Sequence, residues 1–509
     1  MAIVEALEAN GARRLRIKNP LSGEAIDAIE VTSKAEVGAA VKRAREAQPA
    51  WAALGVAERK RIVHRALDVL MSRQEEVIAT VRAETGKTRV DALSIEIISS
   101  CDFINYWCGR AQKDLADEKV GLHGFLKPLK KLRVVYEPLG VVGVITPWNG
   151  PFVLSTDPTV QALLAGNAVL LKPSEVTPRA GEWAARILWE AGVPRDVLQV
   201  LHGDGETGAA LVQAGVDKIA FTGSVRTGKK IAAACAEQLL PFTLELGGKD
   251  PMIVCADANL ERAANGAVFL SMFNTGQVCL GVERVYVVER VADEFLKLVE
   301  EKVRAVRVGP GDDKEIGSVF WDRQLEIIER HVDDAVSQGA RLLVGGRRTG
   351  DGLCYAPTLL TNVTHDMAVM REETFGPVLC VMVVPDEEAA IAAANDSDYG
   401  LSASVFTTDE EKAIRIARRL RAGSVMQNDA AVIYGIPEAP FGGLKSSGLG
   451  QVHGGSRALR GFCHAKPIVL DRWKLDKEEI WYPLTERTTK SLEKTIEFAF
   501  GKVLRRLMQ

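Results

Sequence analysis

Cysteine and histidine are scarce in this chain of 509 residues, at eight and seven. The cysteines stand apart at 101, 108, 235, 255, 279, 354, 380 and 463, with no CxxC pair. That argues against a disulfide-built scaffold and fits a reducing, cytoplasmic setting. There is no HExxH and no Cys/His ligand cluster, so no metal site is expected. A surplus of either charge is also missing: 64 Lys and Arg stand against 67 Asp and Glu, for a net charge of −3. A nucleic-acid binder is usually basic or carries a basic face, so no nucleic-acid partner is expected. No apolar run approaches roughly 18 residues, which argues against a membrane-spanning helix. The opening Met-Ala-Ile-Val-Glu-Ala-Leu-Glu has neither the basic nor the apolar region of a secretory leader, and none is expected. Internal repeats and low-complexity linkers are absent too.

What is present is ordinary globular material: 47% apolar and 26% charged residues. At about 100–200 residues per domain, two to four domains are expected. Residues 34–90 read as helical, with Val37, Val41 and Ala44 on one face, then Ile62, Val63, Leu67 and Leu70 on another. A basic stretch, Lys127 to Arg133, leads into an alternating run through Pro138 that reads as a strand. From 139 to 250 short apolar runs alternate with helical stretches: Val141–Ile145, 168–171, 197–201 and 218–221. That pattern means a parallel sheet with helical crossovers, whose ligands bind at the strand C-terminal ends. A second α/β region spans about 251–455, with strands at 285–288 and Val378–Val384 and a helix at 321–339. In the segment 474–509, Leu492, Ile496, Phe500, Val503 and Leu507 fall at helical spacing, interleaved with Lys502, Arg505 and Arg506. The simplest reading is a helix docked on the protein's own surface; a peripheral membrane contact is the alternative.

Two glycine patterns compete for a phosphate. Gly203-Asp-Gly205-Glu-Thr-Gly208 is a formal GxGxxG, but no acidic residue closes a strand about 20 residues on. Phe221-Thr-Gly223-Ser224-Val-Arg-Thr-Gly228-Lys also follows a strand and opens a helix, where backbone N–H groups and the Ser224 hydroxyl can meet a pyrophosphate. Each alone reads equally as a plain βα turn. Five further tags are more specific: Pro147-Trp148-Asn149, Lys172-Pro173-Ser174-Glu175, Leu244-Glu245-Leu246-Gly247-Gly248-Lys249, Phe273-Asn-Thr-Gly-Gln-Val-Cys279 and Glu372-Glu373-Thr374-Phe375-Gly376-Pro377. Together with Glu84-Thr-Gly-Lys87, Pro440-Phe-Gly-Gly-Leu-Lys445 and Ser447-Gly-Leu-Gly450, they make the chain resemble the NAD(P)-dependent aldehyde dehydrogenase superfamily over nearly its whole length.

The resemblance implies an α/β fold: a Rossmann-like parallel-sheet cofactor domain at 1–125 and 138–247, and an α/β catalytic domain at 248–456. It also implies a small β oligomerisation element at 126–137 and 457–473, ahead of the C-terminal helical extension. It implies oxidation of a small-molecule aldehyde to an acid by a homodimer or homotetramer. Cys279 is then the nucleophile, Glu245 the general base, and Asn149 an oxyanion donor alongside the Cys279 backbone N–H. The thiol's pKa is expected to be lowered. For the cofactor, the resemblance places Ile145, Thr146, Pro147 and Trp148 along its path. Lys172 and Glu175, in the tag that also holds Ser174, meet the adenine ribose, and Gly205 and Gly208 lie by the adenine. Gly223 and Ser224 serve the pyrophosphate, Leu246 the nicotinamide, and Glu373, Phe375 and Gln324 the nicotinamide ribose. A carboxylate at 175 favours NAD over NADP, because it repels a 2′-phosphate.

Three departures stand out. A relay lysine common nine residues after the asparagine is Pro158 here, and a relay Arg-Glu after Ser-Gly-x-Gly is Gln451-Val452. Gly150 replaces a common aromatic, which suggests a roomier substrate funnel. A CoA-acylating relative usually lacks the glutamate kept here as Glu245, and a catalytically silent one would not need all three catalytic residues. The stretch Val282-Glu-Arg284-Val-Tyr-Val287 also resembles bacterial succinate-semialdehyde dehydrogenases, although no arginine can be placed for a substrate carboxylate.

Overall fold

Strands buried along their whole length, such as Val141–Ile145 and Ala168–Lys172, need cover on both faces, and a parallel sheet flanked by helices supplies it. In the computed structural model, which describes residues 13–350 and 352–500, two such sheets form within a unit made of residues 13–114 and 138–462. The first has the order Gly448–Leu449, Phe242–Glu245, Lys218–Thr222, Val141–Ile145, Ala168–Lys172, Leu198–Val200. All neighbours are parallel except the short first strand, which runs antiparallel to Phe242–Glu245. The chain steps outward from Val141–Ile145 to Leu198–Val200, then returns to the other flank at Lys218–Thr222. This reversal opens a crevice beyond Ile145 and Thr222, where ligands of such sheets bind.

The second sheet has seven strands in the order Arg341–Val344, Thr358–Thr361, Val378–Val384, Val282–Val288, Asp250–Val254, Ser402–Phe406, Ser424–Gln427. Only the Arg341–Val344 edge is antiparallel. Its two faces bury separate apolar clusters, one around Ile328 and Tyr286, the other around Phe295 and Phe406. The expected helix near 321–339 is Asp322–Ser337.

The helical reading of 34–90 resolves into Lys34–Ala53, Gly55–His64 and Ala66–Thr85. Ser33 and Glu36 close the first with a reciprocal capping box. Gly86, at φ 66°, ends the third in the left-handed conformation. A Cβ there would also lie 2.1 Å from Ser318 Oγ, so this glycine of the Glu84–Lys87 tag serves both the turn and a close packing contact.

The other unit contains residues 115–137 and 463–500. Cys463–Asp471 lies beside Lys130–Pro138, so the two expected strand regions do pair, and Glu118–Val120 adds a third strand that the sequence did not announce. Lys130 binds Asp471 at 3.1 Å and also contacts Glu478. The helix Glu486–Phe500 corrects one expectation: Leu492, Ile496 and Phe500 are exposed rather than docked, because nothing in the described chain packs over that stripe. Val503, Leu507, Lys502, Arg505 and Arg506 lie outside the described residues. Among the described residues no helix is long and apolar enough to cross a membrane.

Candidate active site

Asn149 follows the strand Val141–Ile145 and stands just before the helix Pro151–Leu164. The turn is held from behind. Glu96 accepts the N–H groups of Phe152 and Val153, both at 3.0 Å, and is itself ion-paired to the fully buried Lys87. Two orphan donors of a helix N-terminus are thereby satisfied by a charge favoured at that end. Glu96 sits in a π-helical stretch, Ala92–Ile98, an irregularity often found near functional sites.

The Cys279 loop is tied to this turn through amides. Asn149 Nδ2 donates to the Gln277 carbonyl at 3.1 Å. Asn274 Nδ2 donates to the carbonyls of both Asn149 and Gln277, each at 3.0 Å. Asn274 and Thr275 are left-handed, at φ 54° and 58°, and Gly276 continues at φ 72°. A Cβ on Gly276 would fall 2.0 Å from the Gly376 carbonyl oxygen, so the loop passes directly over the backbone of the Glu372–Pro377 tag. A Cβ on Gly248 would likewise fall 2.2 Å from the Cys279 carbonyl oxygen. The glycines of three separate tags thus allow one backbone cluster around Cys279.

Glu245 is the last residue of Phe242–Glu245, at the strand's C-terminal end, and is buried. The Cys279 thiol and its carboxylate act on each other's titration, while its Oε1 is buried without a protein partner. Burial pushes Glu245 up to about 8, against the pull of the thiol. The thiol is pushed well above its ordinary value by burial first, then by the charges of Glu245, Glu373 and Asp250. This differs from the lowered thiol expected from sequence: the protein's own groups raise Cys279 instead.

The predicted cofactor residues gather at the sheet crevice. Trp148 packs edge-on against Phe375, Phe320 and Trp321. Lys172 is buried, donates to the Pro173 carbonyl at 3.1 Å, and lies 3.6 Å from the Glu175 carboxylate. Gly208 faces Lys172: a Cβ there would sit 3.6 Å from Lys172 Cδ. Gly205 opens the helix Gly205–Gln213, and a Cβ on it would meet open space. Ile145 and Thr146 line one wall together with Thr222, and Pro147 links them to Trp148. Ser174 is buried and accepts from the Val176 N–H at 3.2 Å. Ser224 caps the helix Val225–Glu237. Gly223 is tight, since a Cβ would lie 2.6 Å from the Phe221 ring, and Leu246 packs over Gly228. Glu373 accepts from Gly248 N–H at 3.0 Å, and burial pushes it up to about 8. Gln324 donates to the neighbouring Thr374 carbonyl at 2.8 Å.

Sequence reasoning gave no role to the residues that brace these loops. Glu283 accepts the N–H groups of Thr374 and Phe375 and pairs with buried Lys249. Gln277 Oε1 accepts from Phe320 N–H at 3.0 Å. The available signal was a charged pair, Glu283-Arg284, inside a strand otherwise apolar. Arg284 is itself buried and donates to the carbonyls of Lys249, Ala393 and Ala394, so it braces the fold. Pro158 and Val452, at the two missing relay positions, line the same cavity as Glu245. The room at Gly150 is taken up by Val153 and Leu154, each 3.2 Å from where a Cβ would stand, so no wider funnel opens there.

Comparison with known proteins agrees with this arrangement. The chain is 38% identical over 484 residues to a 4,4′-diapolycopene aldehyde oxidase of Methylomonas, covering 95% of this chain and 91% of that protein. It is 39% identical over 465 residues to a Mycolicibacterium smegmatis protein provisionally named succinate-semialdehyde dehydrogenase [NADP(+)], covering 90% and 89%. The solved structure of a Mycobacterium tuberculosis aldehyde dehydrogenase complexed with NAD+ superposes with a TM-score of 0.85 at 34% identity, over 90% of this chain and 94% of that one. Residues 7–468 match the profile of the aldehyde dehydrogenase family, to which, on this match and these relatives, the chain belongs.

Proposed function

We propose that the protein oxidises an uncharged, largely apolar aldehyde to the carboxylic acid with NAD, through a covalent bond to Cys279. The observation that carries this reading is the Cys279 thiol and the buried Glu245 carboxylate acting on each other beside a loop tied to Asn149. Glu245 takes the thiol proton, and the sulfur adds to the aldehyde carbon. The oxyanion that forms is met by Asn149 Nδ2 and the Cys279 backbone N–H; losing one such donor typically costs ~10²–10³ in kcat. Bound nicotinamide supplies the hydride acceptor that turns the thiohemiacetal into a thioester. Once Glu245 has given up the thiol proton, its carboxylate takes a proton from the water that releases the acid.

The crevice residues fit a dinucleotide. Gly205 leaves open space beside a helix start, and the Ser224 hydroxyl caps a helix N-terminus where an anion is favoured. Lys172 and Glu175 would hold the adenine ribose. Glu175 neutralises Lys172 and adds a negative charge where a 2′-phosphate would lie, which supports NAD although one relative is named for NADP(+).

Substrate class follows from the surroundings of Cys279. It packs in an apolar cluster with Phe441, Val278, Ile433, Tyr434 and Val452. The charges acting on it are carboxylates, a poor field for the carboxylate of a semialdehyde. Arg284 is spent on backbone carbonyls. A relative named for a carotenoid-derived aldehyde is in keeping with an apolar substrate. The small sheet we assign to assembly of two or four copies, since its edge strand exposes Ile468, Val469 and Leu470. An initial-rate panel of alkyl, aryl and semialdehyde substrates with NAD and NADP tests this reading on wild type and Cys279→Ala. The apolar aldehydes should lead with NAD, and Cys279→Ala should lose oxidation while still binding NAD. A tenth or more of the wild-type rate in Cys279→Ala would sink the nucleophile.

A further inference from the structure

Glu245 has a second aspect, away from Cys279. It lines a narrow cavity of about 40 Å³, of which Cys279 and Asn149 form no part. Side chains alternate along a strand, so residues two apart share a face. Lys218, Ala220 and Thr222 of one strand, and Thr243 and Glu245 of its parallel neighbour, all line this cavity. The cavity therefore runs along the sheet from the Glu245 carboxyl at the strands' C-terminal ends to the Lys218 amine at the N-terminal end. Lys218 is buried, donates to Thr243 Oγ1 at 2.9 Å, and lies 5.2 Å from the centre of the Phe462 ring. Among the described residues it has no carboxylate in an ion pair. On another wall are Asp157, Gln161 and Tyr434. Asp157 is held by Trp107 Nε1 at 2.7 Å and His453 Nε2 at 3.0 Å. Glu245 Oε1 and Gln161 Oε1 are buried with no protein partner. At roughly 10–15 Å³ per probe-sized site, the space suits about three waters, and these two oxygens can receive their hydrogen bonds.

We propose that Lys218 is the proton-exit residue for Glu245, receiving through the cavity the proton that Glu245 takes from the Cys279 thiol and must give up before it can act on the hydrolytic water. The proposal rests on the general-base reading of Glu245. During acylation the S–C bond forms as the Cys279 S–H bond breaks toward Glu245, and hydride loss to the bound nicotinamide gives the thioester with that proton still on Glu245. The proton then passes through cavity water to the lone pair of neutral Lys218, and the ammonium releases it to solvent, which leaves Glu245 ionised. As water attacks the thioester carbon, the new C–O bond forms and one O–H bond breaks toward the Glu245 carboxylate. Collapse of the tetrahedral centre breaks the C–S bond, and the Cys279 thiolate takes the proton back from Glu245, so that thiol and carboxylate are restored for the next turnover. Burial suits Lys218 to this, lowering it to about 8, so that a neutral amine is within reach in the range where Glu245 titrates. The two familiar relay positions, Pro158 and Val452, offer this cavity no titratable group.

The test compares Lys218→Met, Lys218→Arg and Glu245→Gln in the full chain with NAD and an aldehyde turned over by the wild type. Arginine keeps the positive charge but cannot become a neutral acceptor. Both Lys218 variants should keep a burst of about one NADH per site, lose at least tenfold in steady kcat with little change in KM, and regain turnover when hydroxylamine captures the acyl group. Wild-type turnover in Lys218→Arg would overturn the proposal, since a fixed cation would then suffice. A burst lost from a Lys218 variant with an unchanged melting temperature would overturn it too, by placing the lysine before the thioester. Should either variant fail to fold, Lys218→Gln carries the same comparison. If Glu245→Gln alone is slow, the exit route fails and the base stands; if Glu245→Gln keeps normal turnover, the base reading itself fails.

Discussion

Cys279 depends on its neighbour. Burial and three carboxylates hold the thiol protonated, so the first proton must go to Glu245, whose own value of about 8 makes it a base in the working range. A base must be ionised to act, so turnover should fall as pH drops below about 8, along a one-proton limb. Glu245→Gln keeps the size of the side chain but cannot accept a proton. It should slow steady turnover by ~10²–10⁴-fold and erase that limb in a pH–rate profile. A limb left in place in the variant would assign the titration to another group.

At the scale of the element, the site is a meeting of turns rather than of helices. The Phe273–Gly276 turn is left-handed at Asn274, Thr275 and Gly276, and Asn274 and Gln277 satisfy its polar groups from within. Such backbone persists only where the surroundings over-determine it. Gly276→Ala adds a Cβ both at positive φ and 2.0 Å from the Gly376 carbonyl oxygen. We expect a loss of about 1–3 kcal/mol in stability and a larger fall in kcat than in NAD affinity, because the displaced loop carries Cys279. Thermal melts and NAD titrations of the variant check this; a wild-type kcat would show that the loop position is not critical.

For the whole molecule, the unusual burden is buried acid. Glu84, which caps the helix Pro178–Glu190 through Arg179 and Ala180 N–H, is pushed by burial up to about 8, like Glu245 and Glu373, and Asp250 up to about 7. These groups hold protons more tightly folded than unfolded. Their stabilisation is fully present below the ordinary carboxylate range and is lost as pH rises through the folded values. Buried His331 and half-buried His365 are lowered by desolvation and act in the opposite direction, but only up to about their unfolded value of 6.5. Lys218, lowered to about 8, opposes the trend only above that pH. Between about pH 6.5 and 8 the four raised carboxyls outnumber the lowered lysines Lys172 and Lys445, so the melting temperature should fall across that interval. A flat or rising melting curve would mean that the carboxyls ionise freely in the folded state.

Much of this was legible in residue order. Strands buried on both faces read as unbroken apolar runs, so Val141–Ile145 and Val378–Val384 could be placed to the residue. Glycine-rich turns after strands marked the crevice, and the tags around Asn149, Glu245 and Cys279 named the chemistry. Short-range rules suffice there, because periodicity and turn chemistry are set by neighbours along the chain. The strand Phe242–Glu245, only four residues long, carried too little pattern to be read, although it aims Glu245. The exposure of the apolar stripe on Glu486–Phe500 could not be read either, since amphipathic spacing does not say whether a partner face exists. Tertiary structure alone decided the state of each charge. Glu245 ends a strand of one sheet and Cys279 lies in a loop leading into the other, and whether a thiol is raised or lowered depends on the burial and charges that long-range packing brings around it. The same packing placed Lys218 and Glu245, 27 positions apart in the chain, on one cavity wall, because adjacent parallel strands bring into register residues that the sequence keeps apart.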